Sequence, residues 1–178
     1  MSSGSAFFGE RGFGRQMRSR NAVTHQIERA FAGASLPLTE RELAPPSIDA
    51  PYVIAHFHGR SRADIDRSSF LPGLHMEDFT YMTARAVEYY LPAVLELMLI
   101  QPYDFELWVH LNRYLDSVRS DDETTLRGLR PAQHTAIADC LELLSQEIGE
   151  AGIGFDREDA DNAAKLERLY RQLADPAT

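Results

Sequence analysis

Residues 83–100, Thr83-Ala84-Arg85-Ala86-Val87-Glu88-Tyr89-Tyr90-Leu91-Pro92-Ala93-Val94-Leu95-Glu96-Leu97-Met98-Leu99-Ile100, decide how this chain folds. Val87, Tyr90, Leu91, Val94, Leu95, Met98 and Leu99 recur at intervals of three and four, which gives a helix with a wide apolar stripe. Pro92 lies inside that stripe. A proline removes one helical hydrogen bond and crowds the carbonyl four residues back. The stretch therefore predicts a helix kinked near Tyr89–Leu91, or two helices meeting there, with Gln101-Pro102 ending the segment.

The pattern repeats on either side. Downstream, Trp108, Leu111, Leu115 and Val118 mark a helix over residues 105–118. Pro131 suits a first helical position ahead of Ile137, Cys140, Leu141, Leu144 and Ile148, with Gly149 as the stop. A last helix starts at Asp156, whose carboxylate can cap the amides of Glu158 or Asp159, and runs through Leu166, Leu169, Tyr170 and Leu173 to Ala174. Upstream, Val23, Ile27, Ala30 and Phe31 define a helix over 21–32, capped by Asn21 or Thr24 and stopped by Gly33. Residues 34–48 carry three prolines and read as an irregular connector. Residues 49–58 fit a short strand or a helix between Asp49 and Gly59. No second strand exists to pair with it, so a helix is favoured. Residues 64–70 add at most one turn. The expectation is an all-α, single-domain bundle of about six helices over residues 21–178, preceded by a flexible basic arm over residues 1–20.

Composition narrows the function. The 178 residues carry a net charge of -9, and 17 of the 18 basic residues are arginine. A chain of this size buries enough apolar surface to fold without disulfides or metal. The longest apolar stretch, Leu91 to Ile100, is too short and too interrupted to span a membrane. The N-terminus lacks a leader-like apolar core, and Cys140 is the single cysteine, so a reducing cytoplasm is the expected location. Charge is unevenly spread. Residues 1–30 hold five arginines against two glutamates, a balance of +3, which leaves -12 for residues 31–178. The arm is either a floppy tail or a segment that docks an acidic surface, the protein's own body included. An acidic body repels phosphate backbones, so nucleic acid is not the expected partner without a local basic patch.

Catalytic motifs are sparse. His56 and His58 would share an ion from one face of a strand but diverge on a helix, and a third ligand would have to come from a residue such as His75, Asp64 or Glu77. Cys140 lies on an apolar stripe, where cysteines are usually inert core, although His134 or His110 could serve it as a base. Carboxylates pair at Glu77-Asp78 and at Asp121-Asp122-Glu123. No phosphate-cradling glycine loop follows a strand, so no cofactor is expected. The more suggestive set is aromatic and acidic: Tyr81, Tyr89, Tyr90, Tyr103 and Trp108 fall within 28 residues beside Glu77, Asp78, Glu88, Glu96, Asp104 and Glu106, with Arg85 the one basic residue among them. Tyrosine and tryptophan suit surfaces where an apolar body meets a polar edge, and an acidic rim speeds capture of a basic partner. The competing account is that most of these rings pack the core.

Thr83-Ala84-Arg85-Ala86-Val87-Glu88-Tyr89-Tyr90-Leu91-Pro92-Ala93 resembles an uncharacterised family of small bacterial proteins with a signature L-T-P-E-A-x-R-Y-Y-L-P-A. Ile27-Glu28-Arg29-Ala30-Phe31 is similar to that family's opening helix. Phe57-His58-Gly59-Arg60 is similar to its F-x-G-K/R step, and residues 131–144 to its closing helix. Met82 and Ala84 stand where the family usually has Leu and Pro. The resemblance covers about residues 24–146; it implies a helical fold and carries over no catalytic residue.

The sequence thus reads as a non-enzymatic cytoplasmic protein-interaction module, of bacterial immunity or adaptor type, that binds a basic toxin or enzyme through Tyr81, Glu88, Tyr89, Tyr103, Asp104 and Glu106. A metal-dependent enzyme using His56, His58 and His75 is the alternative. A third reading is a homo-oligomer built on the Leu91–Ile100 stripe.

Overall fold

The computed structural model describes residues 18–100, 103–120, 124–151 and 154–175. Among them it contains eight α-helices and no strand: α1 (Arg20–Ala30), α2 (Glu40–Leu43), α3 (Ala50–Phe57), α4 (Pro72–Asp78), α5 (Ala84–Met98), α6 (Phe105–Asp116), α7 (Pro131–Ala151) and α8 (Arg157–Ala174). The all-α expectation holds, with two more helices than the predicted six. None of them is long and apolar enough to cross a membrane.

The central helix is α5. Val87, Tyr90, Leu91, Val94, Leu95 and Met98 are fully buried in it. Pro92 is also buried, and one helix runs through it from Ala84 to Met98 instead of two meeting there. The lost Pro92 N–H is offset by apolar burial on both sides of it. Thr83 caps the start, its hydroxyl accepting the Ala86 N–H at 3.2 Å. Nearly all of the Leu91–Ile100 stripe is consumed by the chain's own core, and only Ile100 remains substantially exposed.

The other elements pack around α5. Helix α1 lies against both α5 and α7, burying Val23 and Ile27. Its cap is Ser19, whose hydroxyl accepts the Ala22 N–H, so the helix begins ahead of the Asn21 or Thr24 start expected from sequence. Of the predicted arm over 1–20, residues 1–17 lie outside the described residues, Ser19 caps α1 and Arg20 opens it. Residues 34–48 hold α2, closed by a capping box between Thr39 and Glu42. Asp49 precedes α3 without a side-chain cap, and Ser47 accepts the Ala50 N–H instead. Gly59, at a φ of 76°, takes the left-handed conformation that lets the chain leave α3. Residues 64–70 hold one hydrogen-bonded turn, Phe70 N–H to the Asp66 carbonyl at 2.9 Å, and a 3-10 turn over Arg62–Asp64 precedes it. Helix α7 runs through Gly149 to Ala151, past the predicted stop. It pairs along its length with α8, where Asp156 accepts the Glu158 and Asp159 N–H groups.

Two polar devices fix the layers. Tyr90 directs its hydroxyl at the carbonyls of Phe57 (3.0 Å) and Arg60 (2.7 Å), tying the end of α3 to α5. Asp139 on α7 is fully buried and forms ion pairs with Arg18, just ahead of α1, and with Arg171 on α8 (2.6 Å). Arg171 also reaches Glu142 and Glu167, at 2.9 Å each.

Tyr90→Phe removes the one hydroxyl proton that faces both carbonyls, while Phe57 keeps the Arg60 N–H as a donor. It should lower unfolding free energy by about 1–2 kcal/mol, measured by urea denaturation. An unchanged midpoint would show that the tie is dispensable.

Candidate functional site

The structure scatters the six sequence-predicted partner residues. Tyr103 is buried between α1 and α7, where its hydroxyl donates to the Glu147 carboxylate and accepts from Arg20 Nε (3.3 Å) and Nη2 (3.4 Å). The Arg20 guanidinium also sits 5.7 Å from the ring centroid and 2.5 Å from Glu147. Asp104 caps α6 by accepting the Leu107 N–H at 3.0 Å and lies 3.8 Å from Arg67. Tyr89, half-buried on α5 near Glu88, accepts the Arg62 N–H at 3.2 Å and has the Arg62 guanidinium 5.7 Å from its ring. Tyrosine capture of a cation therefore occurs twice within the molecule, and in both cases the cation is the chain's own arginine. Arg18 pairs with the buried Asp139, and Arg20, the first residue of α1, pairs with Glu147. Tyr90 and Trp108 are core residues, the indole N–H of Trp108 donating to Asp159 at 2.9 Å.

Tyr81 and Glu106 lie elsewhere. Tyr81 ends the 3-10 turn Phe79–Tyr81 after α4 and is half-buried. It lines a depression of about 220 Å³ between α3 and α4 with Asp49, Tyr52, Leu74, Glu77 and Asp78. A second depression of about 360 Å³ shares Tyr81 and Glu77 and extends to Gly73, His110 and Arg113. Gly73 is the close-approach point between α4 and α6: a Cβ there would sit 3.4 Å from His110 Nε2 and 3.5 Å from Glu106 Oε1. Tyr52, 63% exposed, and Leu74, 43% exposed, form the open apolar rim. Asp49 and Tyr52 share one face of α3, and Leu74, Glu77, Asp78 and Tyr81 recur at helical spacing along α4 and the turn after it. Each half is visible as a pattern in sequence, but only the packing of α3 against α4 brings them together.

Beneath the acidic depression lies the histidine cluster. His56 Nδ1 meets Asp78 Oδ2 at 2.6 Å, and its ring stands 5.0 Å from that of His75. Burial raises the Asp78 carboxyl above its usual range, although the His56 hydrogen bond opposes the shift. His75 is buried against Phe57 and Phe70 and accepts the Leu71 N–H at Nδ1 (3.0 Å). Burial, followed by the nearby charges of His56 and Arg60, brings His75 down to about 4. His58 terminates α3 and is exposed, pointing away from this cluster as helical spacing requires. The metal reading loses its geometry: His56 is committed to Asp78, His75 to a backbone amide, and no group of three metal-ligating side chains forms among the described residues.

Cys140 is fully buried, and burial pushes its thiol up to about 12. His134 faces the carbonyls of Leu126 and Leu173, and His110 lines the second depression, so neither is arranged as a base for the thiol. Glu77-Asp78 joins the acidic depression, while Asp121-Asp122-Glu123 lies outside the described residues. Compared with protein families, curated proteins and solved structures, the chain matches none.

The depressed His75 value has a direct consequence for stability. The unfolded chain binds a proton on this ring below about pH 6.5 and the folded chain only below about pH 4, so stability is lost as the pH drops through that window. The loss should be on the order of 2 kcal/mol. His75→Gln keeps an acceptor for Leu71 but cannot titrate. Urea unfolding at pH 7 and pH 4.5 should show a smaller pH-dependent loss in the variant, and equal losses would refute the assignment.

Proposed function

We propose that this chain is a non-enzymatic protein-interaction module, of bacterial immunity or adaptor type, that seats a lysine or arginine of a basic partner in the depression between α3 and α4. One observation carries the reading: the carboxylates of Asp49 and Glu77 line that depression with Tyr52, Leu74 and Tyr81, Asp78 at its base being paired with His56, and no cation is among the described residues that line it. The chemistry matches what the molecule does internally, where Arg20 settles between a tyrosine ring and a glutamate. An exposed aromatic beside carboxylates supplies cation–π attraction and long-range steering together. Tyr81 remains in this surface, whereas Glu106 lies beside Gly73 on α6, outside it. Tyr89, Tyr103 and Asp104 are engaged within the molecule, and Tyr52, Leu74 and Glu77 take their place.

A short arginine- and lysine-rich peptide is a suitable probe. It should bind the full chain with an affinity that falls as salt rises. Tyr52→Ala combined with Glu77→Gln should weaken it at least about tenfold, with little change in unfolding midpoint because both side chains are exposed. Titration calorimetry measures the first and thermal denaturation the second. Equal peptide affinity in the double variant would overturn the proposal.

A further inference from the structure

A different face of α6 carries the opposite chemistry. His110 and Arg113 turn toward α4, whereas Asn112 and Asp116 turn toward α8. There a depression of about 380 Å³ is lined by Asn112, Arg119, Asn162 and Lys165. It adjoins another of about 240 Å³ lined by Arg119, Lys165, Arg168 and Gln172. The two share Arg119 and Lys165, so they form one cleft. Its polar lining is three cations and three amides against a single carboxylate, Asp116, which already pairs with Arg119. Such a lining is unusual in a body whose residues 31–178 carry -12.

The arrangement is set by α8. Lys165, Arg168 and Gln172 recur at intervals of three and four and lie on one stripe, extending roughly 10 Å along the axis. Lys165, the only lysine in the chain, bonds among the described residues only the neighbouring Asn162 side-chain oxygen, at 3.2 Å. Arg168 forms no ion pair with the described residues, in contrast to Arg171 one turn on, which is fully engaged by Asp139, Glu142 and Glu167. Arg18, Arg20, Arg85 and Arg171 are each matched to carboxylates of the described residues, and these two are not.

We propose that this cleft is an anion site for a small ligand carrying several phosphoryl groups in a row. Lys165 and Arg168 supply charge, and the amides of Asn112, Asn162 and Gln172 supply neutral donors. Arg119 joins when the ligand displaces Asp116. The elongated shape selects a chain of phosphoryl groups over a single one, and the lysine acts as a point charge for phosphate. The site is independent of the acidic depression and of any partner bound there.

Inorganic tripolyphosphate titrated into the full chain tests this by calorimetry at low and raised salt. Saturable binding that weakens with salt is expected. Lys165→Ala with Arg168→Ala should weaken it at least about tenfold, and Asp116→Asn should tighten it by freeing Arg119. Tyr52→Ala should leave it unchanged. These side chains are exposed, so unfolding midpoints should stay near that of the parent. Absence of saturable binding, indifference to the charge variants, citrate binding as tightly as tripolyphosphate, or binding of a single-stranded oligonucleotide alone would each overturn the proposal.

Discussion

The burial of α5 is the constraint on which the rest of the structure depends. A helix with Tyr90, Leu91, Val94, Leu95 and Met98 all removed from water needs apolar neighbours on several sides. Each such side chain contributes about 1.5–3 kcal/mol on burial. Helix α1 contributes Val23 and Ile27, α3 contributes Val53 and Phe57, and α6 contributes Trp108 and Leu111. The α7–α8 pair closes the remainder through Ile137, Leu141, Leu144 and Tyr170. The same burial keeps Pro92 inside a single helix, because breaking α5 there would expose the residues that flank it.

Charge is organised around that core by matching. Arginine is a planar donor that can stack and bond in the same place. Arg20 and Arg62 use tyrosine rings in this way, Arg171 gathers three carboxylates, and Arg60 bonds the His56 and Asp64 carbonyls and Ser69. Internal matching makes the unmatched places informative. The α3–α4 depression has carboxylates and aromatic rings without a cation, and the α6–α8 cleft has cations with little opposing charge. The whole-chain charge of -9 averages these two faces and conceals both.

How much of this could be read in advance varied with the length of each element. Helices α1, α5, α6, α7 and α8 each present enough turns for apolar spacing to stand out, and the Asp156 cap was legible from its position ahead of Glu158 and Asp159. The four-residue α2 has no periodicity to read; its trace was the Thr39-to-Glu42 capping pair. Helix α4 has only seven residues, and its start at Pro72 follows a serine-rich loop organised by Asp66. The candidate site was legible only in kind. Tyrosines and carboxylates were the right chemistry, but Tyr89 and Tyr103 were assigned to a surface that Arg62 and Arg20 in fact occupy. Tyr52 went unread because its partners Leu74 and Tyr81 lie more than twenty residues away.

The sequence by itself determined the helical class, the placement of the long helices and the core position of Cys140. These follow from spacing and capping, which act between residues three or four apart along the chain. Tertiary structure alone decided which arginine meets which carboxylate, that His56 faces Asp78 and His75 while His58 faces water, and which tyrosines remain open. Those outcomes depend on side chains brought together across helices. No local periodicity encodes them, because the same amphipathic stripe is compatible with many neighbours until the core is packed.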